Sequence, residues 1–180
     1  MIKIKNILDI LEGVQVDIIK NKIKVTGNLG SLEREFAHPD IKFVKKNNQI
    51  IFEVSVSTKK QKTIVNTFKA HLNNMMRGVS EGYTYKLKVC SGHFPMTVSI
   101  DGDKLTIKNF LGEKSPRHAK IIEGVKVEIK GNDIFLTGPN KEYVGQTAAN
   151  FERSTRIVNR DRRRFQDGIY LTEKPGREIK

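Results

Sequence analysis

The sequence contains an internal repeat, which restricts the fold more than any other feature. The segment VQVDIIKNKIKVTGNLG at residues 14–30 aligns with MTVSIDGDKLTIKNFLG at residues 96–112. The segment IKFVKKNNQIIFEV at residues 41–54 aligns in the same way with VKVEIKGNDIFLTG at residues 125–138. In all four segments apolar and polar residues alternate around a short turn sequence, such as Asp101–Gly102, which is typical of a β-hairpin. Each half of the chain is therefore predicted to contain two hairpins.

A helical pattern follows the second hairpin in each half. In the first half the apolar positions are Ile64, Phe68, Leu72, Met75 and Val79, with Ser57 or Thr58 as the predicted N-cap and Gly78 as the predicted end. In the second half they are Val144, Ala148, Phe151, Thr155 and Val158, after a predicted N-cap at Asn140. An amphipathic helix that packs on an antiparallel sheet buries the apolar faces of both. The predicted fold is α+β, with two duplicated domains, each a small antiparallel sheet of two hairpins packed against one helix.

The repeat also predicts the domain boundaries. We expect the boundary near Ser80–Gly82, so that residues 1–81 form the first domain and residues 82–174 the second. The alternating segment YTYKLKV at residues 83–89 predicts an extra strand at the start of the second half. Residues 175–180, which begin with Pro175–Gly176, are predicted to be a flexible tail.

The charge of the chain predicts a polyanionic partner. A formal net charge of +13 and a pI near 9.8 point to nucleic acid or an anionic membrane. No apolar run approaches the roughly 20 residues of a membrane-spanning helix, and the N-terminal MIKIKNILDI lacks the core of a signal peptide. The single cysteine, Cys90, excludes an internal disulfide and fits a reducing compartment such as the cytoplasm.

The sequence provides no complete catalytic or metal site. Cys90 and His93 are three residues apart, but no second pair accompanies them, as a zinc site would require. No glycine-rich loop of the kind that binds phosphates or dinucleotides is present. We therefore predict no enzyme activity, no cofactor and no metal.

The arginines are concentrated, whereas the lysines are spread over most of the chain. Six of the ten arginines lie between Arg153 and Arg164. A guanidinium group binds phosphate at two points, which an ammonium group cannot do. At helical spacing one face would carry Gln146, Asn150, Arg153, Arg156 and Arg160, continued by Arg162–Arg164. This pattern favours contact with RNA or DNA, and a solvated helical face is the alternative.

Apolar residues follow the arginines directly. Phe165, Ile169 and Tyr170 are predicted to tie the end of the basic segment back onto the domain. Cations held in this way lose less entropy when they bind a ligand.

Several longer motifs resemble one known protein family. NFLGEKSPRHAK at residues 109–120, GPNKEYVGQTAAN at 138–150 and RRFQDGIYLTEK at 163–174 closely resemble the large-subunit ribosomal protein L6 family, in its archaeal and eukaryotic cytosolic form. REFAHPD at residues 34–40 and KLKV…HFPM at 86–96 do so as well. The resemblance extends from about Val14 to Lys174.

The chain departs from the family pattern at three places. A Gly-Pro-basic-Gly turn is usual where Gly27-Asn28-Leu29-Gly30 stands, which weakens the expectation of RNA contact at this turn. Arg153 stands where glutamine is common, and Ser91 where an aromatic residue is common.

The resemblance implies a structural protein of the large ribosomal subunit, with two duplicated domains, that supports translation. It implies binding of large-subunit ribosomal RNA near the sarcin–ricin loop and the base of the factor-binding stalk, mainly through the second domain. The implied partners are this RNA and neighbouring large-subunit proteins, without a membrane or a small-molecule substrate, and the implied location is the cytosolic ribosome. The implied RNA-binding residues are Lys114, Arg117, His118, Lys141, Gln146, Thr147, Asn150, Arg153, Arg156, Arg160, Arg162, Arg163 and Arg164.

Two other classes of function are compatible with parts of the sequence. A free-standing nucleic-acid regulator would use the same arginine segment. An enzyme on a duplicated scaffold would need convergent acid–base or metal-binding groups, and the sequence does not supply them. Sedimentation with large ribosomal subunits after a high-salt wash separates the ribosomal protein from the regulator.

Overall fold

The four hairpins predicted from the repeat are all present in the computed structural model, which describes residues 4–54 and 58–179. The chain divides into two compact units, Met1–Gly82 and Tyr83–Lys180, and the expected boundary lies one residue before this division. The first unit contains β1 (Ile4–Asp9), β2 (Gln15–Ile19), β3 (Lys22–Gly27), β4 (Gly30–Glu35), β5 (Ile41–Lys46), β6 (Gln49–Val54) and the helix α1 (Lys59–Ser80). The second contains β7 (Tyr83–Cys90), β8 (Thr97–Asp101), β9 (Lys104–Lys108), β10 (Arg117–Lys120), β11 (Lys126–Lys130), β12 (Asp133–Gly138), the helix α2 (Lys141–Ser154), β13 (Gly168–Lys174) and β14 (Arg177–Glu178).

In the first unit the two hairpins lie in different sheets rather than in one. Strands β2, β3 and β4 form one antiparallel sheet, and β1, β6 and β5 form the other. The repeat did not predict β1, which pairs with β6 over its whole length, or β4, which pairs with β3. A single apolar cluster includes Val25 of the first sheet, Phe52 of the second and Leu72 of α1. Both sheets therefore bury their apolar faces with the one helix, and the predicted α+β class is confirmed.

The second unit repeats this plan with a larger sheet. Strands β10, β9 and β8 form a three-stranded sheet, and the other five strands form a sheet in the order β11-β12-β7-β13-β14. The extra strand predicted at residues 83–89 is confirmed as β7, which lies at the centre of the larger sheet. The core combines Leu87 of β7, Leu105 of β9, Phe151 of α2 and Ile169 of β13, all without exposed surface.

Helix α1 begins at the predicted N-cap and continues past its predicted end. The Thr58 hydroxyl accepts the Gln61 backbone N–H, and the Gln61 side chain accepts the Thr58 N–H, so a capping box closes the first turn. Ser57, the alternative N-cap, lies outside the described residues. The prediction that Gly78 ends the helix was wrong, because the backbone N–H groups of Glu81 and Gly82 complete a further turn.

The end of α1 is also a packing surface. The Leu29 backbone N–H donates to the Val79 carbonyl over 2.9 Å. A Cβ atom on Gly27 would lie 2.8 Å from the same carbonyl oxygen. Glycine at this position is therefore required by the close approach of the turn that connects β3 to β4.

Helix α2 is shorter than its apolar pattern predicts. It begins after the predicted N-cap Asn140, whose side chain accepts the Glu142 and Tyr143 N–H groups. It ends at Ser154, and Val158, predicted to be buried, is 66% exposed. Thr155 ends the helix because its hydroxyl accepts the Ile169 N–H over 2.9 Å and thereby joins this point to the start of β13.

The C-terminal segment is more regular than expected. Residues 177–178 form β14, which pairs with Glu173 and Lys174 of β13 around a turn at Gly176. Two residues of the segment predicted to be a flexible tail thus belong to a strand.

Candidate nucleic-acid interface

Five arginines lie in the connection between α2 and β13, residues 155–167, which we call the arginine loop. They are Arg156, Arg160, Arg162, Arg163 and Arg164, and all five are exposed, as is Arg153 in the last turn of α2. The helix ends before Arg156, so the prediction of one helical face from Gln146 to Arg160 was wrong beyond Arg153. The backbone of the arginine loop, and not a helix, therefore determines the position and direction of its five arginines.

Asp161 organises the turn that carries the arginines. Its Oδ1 accepts the Arg163 backbone N–H over 3.0 Å, and its carbonyl accepts the N–H groups of Arg164 and Phe165. Its carboxylate also pairs with the Arg163 guanidinium at 2.9 Å. The side-chain hydrogen bond from Arg163 lowers the pKa of Asp161, so the aspartate that interrupts the basic run in the sequence is a charged turn-former.

Asp167 attaches the other end of the loop to the end of β7. Its side chain is 3% exposed. One carboxylate oxygen accepts the backbone N–H groups of Gly92 and His93, and the other accepts the His93 Nδ1–H. Burial acts to raise the pKa of Asp167, but the hydrogen bonds from His93 and Gly92 outweigh it and hold the pKa below its ordinary value. We call this contact between Asp167 and His93 the latch.

The predicted apolar anchor is confirmed. The Phe165 ring stacks on the His93 ring with centroids 4.7 Å apart, and the Arg160 guanidinium lies 4.9 Å from the Phe165 centroid. Ile169 is fully buried in the core. The Tyr170 hydroxyl donates to the Asp167 carbonyl over 3.3 Å. The arginine loop is thus held at its start by Thr155, in its middle by Phe165 and at its end by Asp167.

An open cavity of about 910 Å³ lies between the arginine loop and the end of β7. Arg162, Arg163 and Arg164 line one side, and residues 90–93 line the other. Burial raises the pKa of the Tyr170 phenol at this cavity, while the charge of Arg162 acts in the opposite direction. The cavity therefore presents several cations and an uncharged tyrosine to a ligand.

Arg117 supports the arginine loop from within the domain. Its Nε and one terminal nitrogen donate to the Glu113 carboxylate over 2.7 and 2.6 Å. The other terminal nitrogen donates to the carbonyls of Ser154 and Arg156 over 2.9 and 3.2 Å. All three nitrogens of the Arg117 guanidinium thus donate hydrogen bonds within the unit, and the group also lies over the Phe110 ring. Arg117 is therefore suited to position the end of α2 rather than to contact RNA.

Thr147 is the second residue of the implied set that does not fit direct contact. It has no exposed surface. Its hydroxyl donates to the Tyr143 carbonyl over 2.8 Å and accepts the Ile122 N–H over 3.3 Å. Thr147 therefore fixes α2 against the chain that follows β10.

The remaining implied residues lie at accessible positions. On α2, the Gln146 amide donates to the Asn150 side chain over 3.0 Å, and Asn150 donates to the Lys120 carbonyl over 3.1 Å. The two amides border a second open cavity of about 770 Å³. Lys114 and His118 are exposed, and Lys141 is half-buried with its ammonium 5.7 Å from the Tyr83 ring centroid.

Sequence reasoning missed the residues that shape the loop. Asp161, Asp167 and His93 were not among the implied site residues, although all three are close to the arginines in the fold. The one local indication was an aspartate two residues before an arginine, the spacing of an aspartate turn. The contact between Asp167 and His93 joins positions 74 apart, so no local pattern shows it.

The described ranges contain no group of three histidine, cysteine, aspartate or glutamate side chains placed to hold a metal ion. In the same ranges, neither helix combines the length and the apolar character that crossing a membrane requires.

Comparison with known proteins gives one consistent result. The family model described as "Ribosomal protein L6" matches the chain twice, at residues 10–82 and 94–168. A protein of Methanobrevibacter smithii named "Large ribosomal subunit protein uL6" is 45% identical over 171 residues, which cover 95% of this chain and 96% of the relative. A protein of Methanococcus vannielii with the same name is 43% identical over 176 residues, which cover 98% and 97% of the two chains. Each of the two family matches falls within one of the two duplicated units, and the chain belongs to the ribosomal protein L6 family.

Proposed function

We propose that this protein is a structural constituent of the large ribosomal subunit that binds large-subunit ribosomal RNA through its second unit. The names of the two archaeal relatives support the assignment to the large subunit. The arginine loop supports the assignment of RNA contacts to the second unit. The proposed role is structural, and we assign no catalytic step or cofactor to the chain.

The observation that carries the proposal is the restrained, exposed arginine cluster. Among the five arginines of the loop, only Arg163 forms an ion pair within the described part of the chain, and its partner is the turn-forming Asp161. The latch and the Phe165 stack restrain the backbone that carries the others. Guanidinium groups that are already positioned bind phosphates with a smaller entropic cost than those of a mobile basic tail. A restrained array of this kind suits the phosphate backbone of RNA.

The structure changes the set of proposed contacts. The residues with accessible polar groups are Lys114, His118, Lys141, Gln146, Asn150, Arg153, Arg156, Arg160, Arg162, Arg163 and Arg164. Arg117 and Thr147 are proposed to position these residues, since their polar groups bind other parts of the unit.

The finer placement rests on the family resemblance. We infer contact with the RNA near the sarcin–ricin loop and the base of the factor-binding stalk, with neighbouring large-subunit proteins at the stalk base as partners. We infer that the protein acts in the cytosolic ribosome and supports translation there. Hydroxyl-radical cleavage from a probe attached near the arginine loop would map the RNA in assembled subunits, and cleavage confined to distant helices would contradict this placement.

A sedimentation experiment tests the proposed function. We expect the tagged protein to remain with large subunits after a high-salt wash. A variant with glutamine at Arg156, Arg162 and Arg164 should be released at lower salt, because three exposed cations are lost. Recovery of the wild-type protein only in the unbound fraction would contradict the proposal and favour a free-standing nucleic-acid regulator.

A further inference from the structure

Phe94 is exposed, whereas the other phenylalanines of the chain are at least partly buried. The chain contains nine phenylalanines, and 48% of the surface of Phe94 is accessible. Phe94 lies between β7 and β8, directly after the His93 of the latch. Single exposed apolar residues are common on protein surfaces. Phe94 differs from such residues in the contacts that hold its ring and in the groups near it.

The turn at residues 109–112 holds the ring in place. A Cβ atom on Gly112 would lie 3.6 Å from two carbons of the Phe94 ring, so the ring packs closely on the glycine backbone. The Asn109 side chain donates to the carbonyl of Pro95 over 2.9 Å. The ring and the residue that follows it thus contact the same turn. An aromatic side chain restrained in this way binds with little loss of conformational entropy.

This turn has an unfavourable backbone conformation. Asn109 has φ 60° and ψ 31°, and Leu111 has φ 50° and ψ 31°, both in the left-handed region. Leucine rarely adopts this region, because its Cβ approaches the following carbonyl. Such conformations persist where the surrounding structure imposes them, and they cluster at ligand-binding sites. The turn under Phe94 is therefore a specific arrangement and not an ordinary loop.

Two cationic side chains belong to segments that adjoin Phe94. The Arg160 guanidinium lies 4.9 Å from the centroid of the Phe165 ring, and that ring stacks on His93, the residue directly before Phe94. Lys114 is exposed two residues after Gly112, on which the Phe94 ring packs. An aromatic surface with cations nearby is complementary to a nucleotide, which has a flat base and a charged phosphate.

We propose that Phe94 is a stacking platform for an unpaired base of the RNA that the arginine loop binds. This inference rests on the proposed RNA-binding function. In it, Arg160 and Lys114 bind phosphates on either side of the nucleotide, and the accessible part of the Phe94 ring contacts the base. Bases in an uninterrupted duplex are stacked on one another and are unavailable, so the site selects a loop, bulge or end.

Two RNA probes test the inference with the full chain. One is a hairpin with a loop of several unpaired purines, and the other is a blunt duplex of the same stem sequence. Phe94→Ala should weaken hairpin binding by roughly 5- to 150-fold, the effect expected for loss of one stacked base, and should leave duplex binding unchanged. The dependence of hairpin affinity on salt should keep its slope, because no charge is removed.

Two further substitutions separate stacking from other effects. Phe94→Leu keeps an apolar side chain but removes the aromatic face, so it should weaken hairpin binding much as Phe94→Ala does. Ile100→Ala is the matched control, because Ile100 is a similarly exposed apolar residue of the same unit, at 43%, and lies in β8. It should leave the affinities for both probes unchanged.

The absence of tryptophan from the chain allows a direct optical measurement. Phe94→Trp introduces a single tryptophan at the proposed platform, which can be excited selectively over the tyrosines, and should retain hairpin affinity. The hairpin should quench its fluorescence strongly, whereas the duplex should quench it weakly, since only the hairpin offers an unpaired base.

The possible results distinguish this inference from the function on which it rests. Equal hairpin affinities for the wild type and Phe94→Ala would overturn the stacking site alone if arginine substitutions still weaken binding. Absence of RNA binding by the wild type would overturn both. If Phe94→Ala binds both probes normally but no longer joins large subunits, the ring contacts a neighbouring protein and the stacking inference is wrong.

Discussion

Removal of the Asp167 carboxylate should weaken RNA binding even though it makes the protein more positively charged. Asp167→Ala raises the net charge by one, which by itself strengthens attraction to a polyanion. The same change removes the latch, so the exposed arginines lose their fixed position. If position matters more than net charge, the affinity for RNA falls. The sign of the effect therefore separates a docked site from long-range attraction.

The stability change can be worked out from the contacts. Asp167 accepts three hydrogen bonds, from the Gly92 N–H, the His93 N–H and the His93 ring. Hydrogen bonds to a charged group contribute about 1.5–3 kcal/mol each. Gly92 and His93 are exposed, so water can replace the lost acceptor, and the total should be well below the sum. We expect Asp167→Ala to lower the free energy of unfolding by about 2–4 kcal/mol.

Asp167→Asn is the conservative comparison. Its carboxamide oxygen can still accept both backbone N–H groups, and its NH2 group can donate to a neutral His93 ring. The expected loss is about 1 kcal/mol, that of one charge-assisted hydrogen bond replaced by a neutral one. This variant should keep most of the RNA affinity, because it preserves the connection between the loop and the end of β7.

The two Asp167 variants should also differ from the wild type in how the free energy of unfolding changes at acidic pH. The pKa of Asp167 in the folded protein is below its ordinary value, so its contribution to stability is fully present above the unfolded pKa, near 3.9, and is lost as the pH falls through the folded pKa. The wild type should therefore lose stability more steeply than Asp167→Asn as the pH falls below about 4.

The assays are urea unfolding followed by circular dichroism and a salt titration of RNA binding. Trypsin sensitivity at the loop arginines gives a third measurement, and Asp167→Ala should increase it. Asp101→Ala is the control for charge, since it also removes one carboxylate from the second unit, but at an exposed position outside the latch. It should bind RNA at least as tightly as the wild type. If Asp167→Ala behaves like Asp101→Ala in both stability and affinity, the latch does not position the arginines.

Three other predictions concern the charges, the packing and the boundary. Glutamine at Arg156, Arg162 and Arg164 should reduce the slope of log affinity against log salt by about two units. As the control, glutamine at the exposed Lys104, Lys108 and Lys126 should reduce this slope much less. Equal slopes for the two variants would show that the arginine loop is not a docked site. Gly27→Ala should lower the free energy of unfolding of the first unit by about 1–3 kcal/mol, because the added methyl group would lie 2.8 Å from the Val79 carbonyl, and Asn28→Ala is the neighbouring control in a denaturant titration. A protease of broad specificity should cleave near Ser80–Gly82 or after residue 174 before it cleaves within either unit, and mass spectrometry of the fragments measures this order. Early cleavage within residues 98–107 would count against two independently folded domains.

The sequence predicted the elements of the repeat, whose pattern is local. A hairpin is defined by alternation around a turn, and the four hairpins of the repeat were found in this way. Strands β4 and β14, which pair with β3 and β13 around short turns, were not predicted. β1 was missed because its paired residues in β6 are between 40 (Asp9 and Gln49) and 50 (Ile4 and Val54) positions away, beyond the first hairpin. The helical period of α2 continues through Thr155 to Val158, but the helix does not. The contact from Ile169 to Thr155, which ends it, depends on tertiary structure.

Only part of the candidate site could likewise be predicted from the sequence. Residue type and spacing identified the basic segment and its apolar anchor, because arginines and Phe165 are adjacent in the chain. Residue type and spacing alone could not distinguish side chains that face solvent from side chains that bind other parts of the unit. Arg117 has the residue type of a phosphate contact, yet its nitrogens bind Glu113 and the carbonyls at the end of α2. That distinction requires the three-dimensional partners of each side chain.

The two aspartates of the arginine loop show why a count of charges describes such a site poorly. Each lowers the net charge by one, and on that basis each should weaken binding to RNA. Asp167 is 3% exposed and surrounded by hydrogen-bond donors, so its charge is compensated within the protein before any phosphate approaches. Asp161 is paired with Arg163 and also fixes the turn from which the neighbouring arginines project. The two aspartates therefore neutralise only one guanidinium of the loop, that of Arg163. In return, they hold the other arginines of the loop in a fixed arrangement. A loop of the same arginines without these aspartates would be more basic and yet, by this argument, would bind RNA less tightly.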